Sequence, residues 1–157
     1  MSEISEAVQA KCLAFGDRII KLNDYLLEQA ASNRYDGGSK KADKRGKTQT
    51  SYVRHQTCRI PVHLQAIATL CNQLLRAGTS IGANNAEACN AISKADFKSK
   101  SYIALKEARE SLYWIELLHR NNYLDDKQYS SIYTDCEELV KILVARCKKL
   151  DQELGEK

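Results

Sequence analysis

Three candidate metal ligands lie close together in the sequence, at His55, Cys58 and His63. Imidazole and thiolate groups suit Zn²⁺, but zinc sites usually combine two closely spaced pairs of ligands. This string has no second pair, and only Cys71 or His119 could complete it. The spacing therefore favours an ordinary explanation for each residue, and we expect no metal and no cofactor.

A second pattern with chemical potential is Glu116-Leu117-Leu118-His119. A Glu-x-x-His motif supplies ligands in di-metal sites of helical bundles, but such a site needs a second copy, which the sequence lacks. We expect Glu116 and His119 to be a surface pair. The sequence also contains no catalytic triad order, phosphate-binding GxxxxGK[ST] loop, dinucleotide GxGxxG motif or HExxH helix. A binding protein is therefore expected rather than an enzyme.

The strongest charge signal is a segment from Ser32 to Arg59, called here the basic insert. It has two adjacent glycines, no apolar periodicity and few aliphatic residues, so we predict a long loop or disordered insert. It holds eight of the 24 lysines and arginines and two of the 20 acidic residues, giving +6 against −2 for the rest of the chain. The basic residues are Arg34, Lys40, Lys41, Lys44, Arg45, Lys47, Arg54 and Arg59.

Clustered lysine and arginine of this kind are typical of a polyanion-binding arm. The functional interpretation is contact with nucleic acid, in which Tyr35, Tyr52 or His55 could stack on bases. Two alternatives stay open: a solvated linker without a partner, and a contact with an acidic protein or a membrane surface. No apolar helical face accompanies the basic run, which disfavours a membrane.

Four helical patterns must position these residues. The first runs from about Ile4 to Ala31, and the second from Ile60-Pro61 to Ala88. The third opens at Ser93-Lys94-Ala95-Asp96, which resembles a capping box. The fourth is capped by Asp125 and Gln128. Their apolar stripes comprise Val8, Cys12, Phe15, Ile19, Leu22 and Leu26; Leu64, Ile67, Cys71, Leu74 and Leu75; Phe97, Ser101, Leu105, Ala108, Leu112, Ile115 and Leu118; and Tyr129, Ile132, Cys136, Leu139, Leu143, Cys147 and Leu150.

Short connections join three of these helices, which predicts antiparallel neighbours. The expected fold is all-α, a single four-helix bundle domain over residues 1–157, antiparallel and up-and-down, with the long basic loop between helices 1 and 2. No segment is long and apolar enough to span a membrane, and no signal peptide opens the chain, so we expect a cytoplasmic protein.

Two further features concern packing. The six cysteines form no CxxC pair, and we expect small core residues rather than disulfides. Gly78 and Gly82 give the second helix a nearly flat face, which could pack within the bundle or against another subunit. Tyr113 and Trp114 are adjacent and so lie on different helix faces; we expect at least one of them at the surface.

Several stretches of the chain carry a more specific signal. They are QLLRAGTSIGANNAEA (Gln73 to Ala88), SKADFKSKSYIALKEARESLYWIELL (Ser93 to Leu118), DCEELVKILVARCKK (Asp135 to Lys149) and, more weakly, RIIKLNDYLLEQ (Arg18 to Gln29). In these stretches the chain resembles a bacterial family of four-helix bundle proteins first noticed in intervening sequences of large-subunit ribosomal RNA genes. The basic insert stands where relatives usually have a short turn.

The resemblance implies a non-enzymatic bundle that assembles into a ring, commonly a homopentamer. It also implies kinship with the accessory variability determinants of diversity-generating retroelements, which bind a reverse transcriptase and its template RNA. The positions that match the family are Arg76, Ser80, Ile81, Asn84, Glu87, Lys106, Glu107, Arg109 and Glu110, whereas Asn85 departs from a usually apolar position. Arg76 joins the basic insert as a candidate nucleic-acid contact.

The sequence thus predicts a non-enzymatic, oligomeric accessory protein that binds RNA or DNA and acts with a reverse transcriptase. The alternative is a structural ring that docks a protein partner without binding nucleic acid.

Overall fold

Four long helices form the molecule in the computed structural model, which describes residues 3–32 and 62–155. They are α1 (Glu3–Ser32), α2 (Val62–Cys89), α3 (Lys94–Arg120) and α4 (Asp126–Glu153). The predicted all-α bundle and its helix order are confirmed. The predicted bounds differ by one or two residues: α1 includes Ser32, and α2 begins after Pro61.

The helix starts follow from their capping residues. Asp125 and Gln128 form the complete predicted capping box, in which each side chain binds the backbone N–H of the other. Ser93 caps α3 by accepting from the Asp96 N–H at 3.1 Å. The Asp96 carboxylate accepts from the Ile92 N–H at 3.2 Å, one residue earlier than a capping box requires.

Successive helices are antiparallel and pack around one core. α2 lies between α1 and α3, α4 packs against α3, and α1 and α4 make the least extensive contact. The predicted apolar stripes supply most of the core, including Phe15, Ile19, Ile81, Ile115 and Leu143. The predicted stripe residues Leu22, Leu64, Leu75, Leu112 and Tyr129 are partly buried at its edge.

The flat face of α2 packs against α1 within the bundle. A Cβ at Gly78 would lie 2.9 Å from Ile19 Cγ1, and one at Gly82 would lie 3.5 Å from Cys12 Cβ. Of the two packing partners that the sequence left open, the structure therefore selects α1 of the same chain. No helix in the described part of the chain is long and apolar enough to cross a membrane.

Candidate nucleic-acid interface

Eight of the nine predicted nucleic-acid contacts lie outside the described residues. They are Arg34, Lys40, Lys41, Lys44, Arg45, Lys47, Arg54 and Arg59. Their role stays a prediction from charge and sequence. Arg76 on α2 is the ninth, and the structure places it directly.

The segment between α1 and α2 attaches at one end of the bundle. A groove of about 360 Å³ at this end is lined by the last turns of α1, by Ile67 near the start of α2, and by the α3–α4 turn. The groove residues include Leu26, Ala30, Asn122 and Tyr123. Residues 33–61 are therefore joined to the bundle at the end where α3 passes into α4.

Arg76 lies near the middle of α2 and is exposed. At 1.5 Å per residue it stands about 21 Å along the helix from Val62. Its charge acts on Glu107 of α3: burial raises the pKa of the Glu107 carboxyl, Glu110 raises it further, and Lys106 and Arg76 lower it. Arg76 thus lies in mixed charge surroundings, distant from the point where the basic insert is attached.

The other positions that match the family in α2 have structural partners. Ile81 is fully buried in the core. The Asn84 amide donates to the Ser80 carbonyl at 2.8 Å, and Glu87 forms an ion pair with Lys100 of α3. These four residues therefore stabilise α2 and its contact with α3.

The sequence did not predict that Asn85, a polar residue inside the bundle, would connect several helices. Asn85 is completely buried, and its Nδ2 donates to Gln9 Oε1 of α1 at 2.5 Å. Arg146 of α4 donates through Nη1 to Asn85 Oδ1 at 2.6 Å, and its guanidinium carbon lies 5.5 Å from the centre of the Phe97 ring. Asn85 thereby connects α1, α2 and α4, and both sides of its amide are satisfied.

The Glu-x-x-His pattern faces α4 in a polar cluster. Glu116 accepts from the Tyr129 hydroxyl and from Arg120, each at 2.6 Å. His119 stacks on the Tyr129 ring and lies 2.9 Å from Asp126 through Nε2. The hydrogen bonds from Tyr129 and Arg120 lower the pKa of Glu116, and the bond to Glu116 raises the pKa of Tyr129 to about 12. Glu116 and His119 do not form the predicted pair with each other, because each has its own partner on α4.

The candidate metal string at His55, Cys58 and His63 falls outside the described residues, except for the backbone of His63. The two residues that could complete this site have other contacts, since Cys71 is buried in the core and His119 stacks on Tyr129. No group of three or more potential metal ligands occurs among the residues that the structure describes.

Four of the predicted core cysteines are confirmed as buried free thiols, at Cys12, Cys71, Cys136 and Cys147. Burial raises the pKa of Cys12 and Cys71 to about 11 and that of Cys136 to about 12. A thiol that stays protonated is a poor nucleophile and a poor metal ligand. These side chains therefore serve packing.

Two comparisons identify what the chain resembles. The family model described as 23S rRNA-intervening sequence protein matches residues 52–145. A protein with unknown function from the S23 ribosomal protein family of Bacteroides thetaiotaomicron, whose crystal structure was determined at 1.70 Å, shares 34% sequence identity with a TM-score of 0.66. The alignment covers 92% of this chain and 98% of that chain. No curated protein matches the sequence.

Proposed function

The chain belongs to the 23S rRNA-intervening sequence protein family, and we propose that it is a non-enzymatic, oligomeric nucleic-acid-binding accessory protein of the cytoplasm. The observation that carries the proposal is the position of the positive charge. A net charge of +6 is concentrated in the basic insert, while the rest of the chain has −2. The segment that carries this charge is attached at one end of an otherwise mixed-charge bundle.

RNA is the favoured polyanion. The names of the matching family and of the solved relative refer to ribosomal RNA and to a ribosomal protein family. Lysine and arginine contacts with phosphates release counterions and need no base sequence, so the insert gives affinity without sequence specificity. The family resemblance adds a finer proposal, that the protein acts with the reverse transcriptase of a diversity-generating retroelement. Co-purification of the two proteins with the template RNA tests that association.

Self-association is the second part of the proposal. Leu13 and Ile20 on α1 are 60% and 45% exposed, and Leu27, seven residues further, is 36% exposed. A seven-residue spacing places all three on one helix face, as in helices that pack against a partner helix. We assign this face to another copy of the chain in a ring, for which the family resemblance suggests five subunits.

The charge proposal is tested with two variants that lose the same number of positive charges. In one, Lys40, Lys41, Lys44 and Lys47 of the insert become glutamine. In the control, Lys11, Lys94, Lys141 and Lys149 of the helices become glutamine, all of which form ion pairs with glutamates. RNA affinity is measured across a series of salt concentrations.

The insert variant should bind more weakly, and its plot of log K against log salt should flatten by up to about 3 for four lost contacts with a single strand. The control should keep most of the slope. Equal slopes in both variants would remove the insert from the interface.

Self-association through α1 also fits a second candidate function, a structural ring that docks a protein partner and uses the insert as a tether. This candidate predicts capture of a protein with no RNA retained. Nuclease treatment distinguishes the two, because a partner held through RNA is released and a directly docked partner is not.

A further inference from the structure

The solvent face of α3 combines two tyrosines with two cations. Tyr102, Lys106, Arg109 and Tyr113 follow one another at intervals of four, three and four residues, so they share one side of the helix. All four are exposed, with values of 37% for Tyr102 and 59% for Tyr113. The fully buried residues of α3, such as Ala104, lie on the opposite side. We call these four residues the α3 basic face.

The two cations at the centre of this face are available for a ligand. The other lysines and arginines of α3 form ion pairs: Lys94 with Glu153, Lys98 with Asp151, Lys100 with Glu87 and Arg120 with Glu116. Lys106 and Arg109 have no such pair among the described residues. The nearby Glu110 carboxylate accepts a hydrogen bond from the Trp114 indole N–H at 3.0 Å.

The tyrosines are held in place from beside the face. The Tyr102 hydroxyl donates to Asp151 Oδ2 at 2.6 Å, and Lys98 Nζ lies 5.9 Å from its ring centre. The Tyr113 ring meets Trp114 edge to face, with 4.9 Å between ring centres and an angle of 72°. Ordered and exposed aromatic rings lose little conformational entropy when a second ring stacks on them.

We propose that the α3 basic face binds a single-stranded segment of nucleic acid, with bases stacked on Tyr102 and Tyr113 and phosphates bound by Lys106 and Arg109. Aromatic residues interleaved with cations are typical of single-strand binding, because every base offers a face for stacking and every nucleotide a phosphate. In a duplex the bases are already stacked on each other and are not free for the tyrosines. The inference rests on the proposed function, since it gives the same ligand a second contact.

The position of the face suits that role. Tyr102 and Tyr113 are about 16 Å apart along the helix axis. From Tyr113 the helix continues to Arg120, at the end of the bundle where residues 33–61 are attached. The α3 basic face therefore lies on the helix that leads to this end of the bundle.

The test uses the full chain and a labelled 12-nucleotide single-stranded RNA, with the matching duplex as a second probe. Two variants, Tyr113→Ala and Lys106→Gln/Arg109→Gln, change the face. Ile92→Ala is the control, because Ile92 is 95% exposed and lies between α2 and α3, at the opposite end of the bundle from the groove. Tyr113→Phe tests rescue, since it keeps the ring. Thermal unfolding confirms that each variant is folded.

Loss of one stacking contact should weaken single-strand binding about 5- to 150-fold in Tyr113→Ala, with the salt slope unchanged. Tyr113→Phe and Ile92→Ala should bind like the original chain, and duplex affinity should not change in Tyr113→Ala. Lys106→Gln/Arg109→Gln should flatten the salt slope by about 1.4.

Unchanged single-strand affinity in both α3 variants would overturn the inference. This holds also if the α3 basic face is then found to contact a protein. If the insert variant lost binding at the same time, the proposed function would stand and the inference alone would fail. If neither set of variants altered binding, both would fail.

Discussion

Arg146 of α4 reaches across the bundle interior and donates a 2.6 Å hydrogen bond to the side-chain carbonyl of Asn85 on α2. Asn85 is completely buried, and its amide group donates in turn to Gln9 of α1. A hydrogen bond from a cation is stronger than one between neutral groups, and an unpaired buried partner is costly. The hydrogen bonds from Arg146 to Asn85 and from Asn85 to Gln9 therefore link three helices.

Replacing Asn85 should lower the stability of the bundle, because its partners would lose their hydrogen bonds. We expect Asn85→Leu to lower the free energy of unfolding by about 2 kcal/mol, because Arg146 and Gln9 lose their partner. Urea unfolding measures this loss, with Asn72→Leu on the exposed surface of α2 as the control. Adding Arg146→Met to Asn85→Leu should recover more than about 1 kcal/mol, since the guanidinium that had lost its acceptor is then also removed. Strictly additive effects would show that the two residues are not coupled.

Replacing Gly78 and Gly16 with alanine should change the free energy of unfolding in opposite directions. Gly78→Ala should destabilise the protein by about 1–3 kcal/mol, because its methyl group would lie 2.9 Å from Ile19 Cγ1. A Cβ at Gly16 meets nothing within 4 Å, so Gly16→Ala should stabilise α1 by about 0.5–1 kcal/mol. Thermal unfolding compares the two variants. A stabilising Gly78→Ala would mean that α1 and α2 do not approach as described.

The buried thiols predict a loss of stability in alkaline solution. The pKa of Cys136 is about 12 in the folded chain against a reference value of 9.0, so the unfolded chain releases its proton first as the pH rises. The contribution of this thiol is complete below pH 9 and is lost as the pH rises toward 12.

The slope due to one thiol approaches about 1.4 kcal/mol per pH unit. Cys136→Ala should be less stable than the original chain at neutral pH but lose stability less steeply above pH 9. Leu139→Ala is the control, because it truncates the core of the same helix and removes no titrating group. Urea unfolding at several pH values gives the slopes, and equal slopes for Cys136→Ala and Leu139→Ala would contradict the assignment.

Charged substitutions on the exposed apolar face of α1 should change the oligomeric state. Leu13→Glu/Ile20→Glu should dissociate the proposed ring, because burying a carboxylate in an apolar contact is unfavourable. Leu154→Glu, which alters an exposed apolar residue beyond the end of α4, should leave it intact. Light scattering after size-exclusion chromatography measures the mass of each. An unchanged mass in the double variant would exclude this face as the subunit contact.

The helices could be predicted closely because their signals are local. Apolar residues recur at helical spacing, and the α4 start is specified by Asp125 and Gln128 within four residues. The family assignment was predictable for the same reason, since the stretches that carry it are contiguous, and the family match confirms it.

The contacts between distant residues could not be predicted. The sequence identified Asn85 as a departure from an apolar position, but not its bond to Arg146, which lies 61 residues away. The spacing of Gly78 and Gly82 predicted a flat face without specifying α1 as its partner. Likewise, Lys106 and Arg109 resemble the other cations of α3 in the sequence. The carboxylates that pair with those other cations lie mostly on α2 and α4, far away in the chain.

The central claim is that the basic insert binds RNA, and one titration tests it most directly. Fluorescence anisotropy of a labelled structured RNA is measured at low and at physiological salt, with the intact chain and with a chain in which residues 34–57 are replaced by a short glycine-serine turn. We predict tight, steeply salt-dependent binding by the intact chain that is lost with the insert. Equally weak binding by both chains would contradict the claim and favour the ring that docks a protein partner.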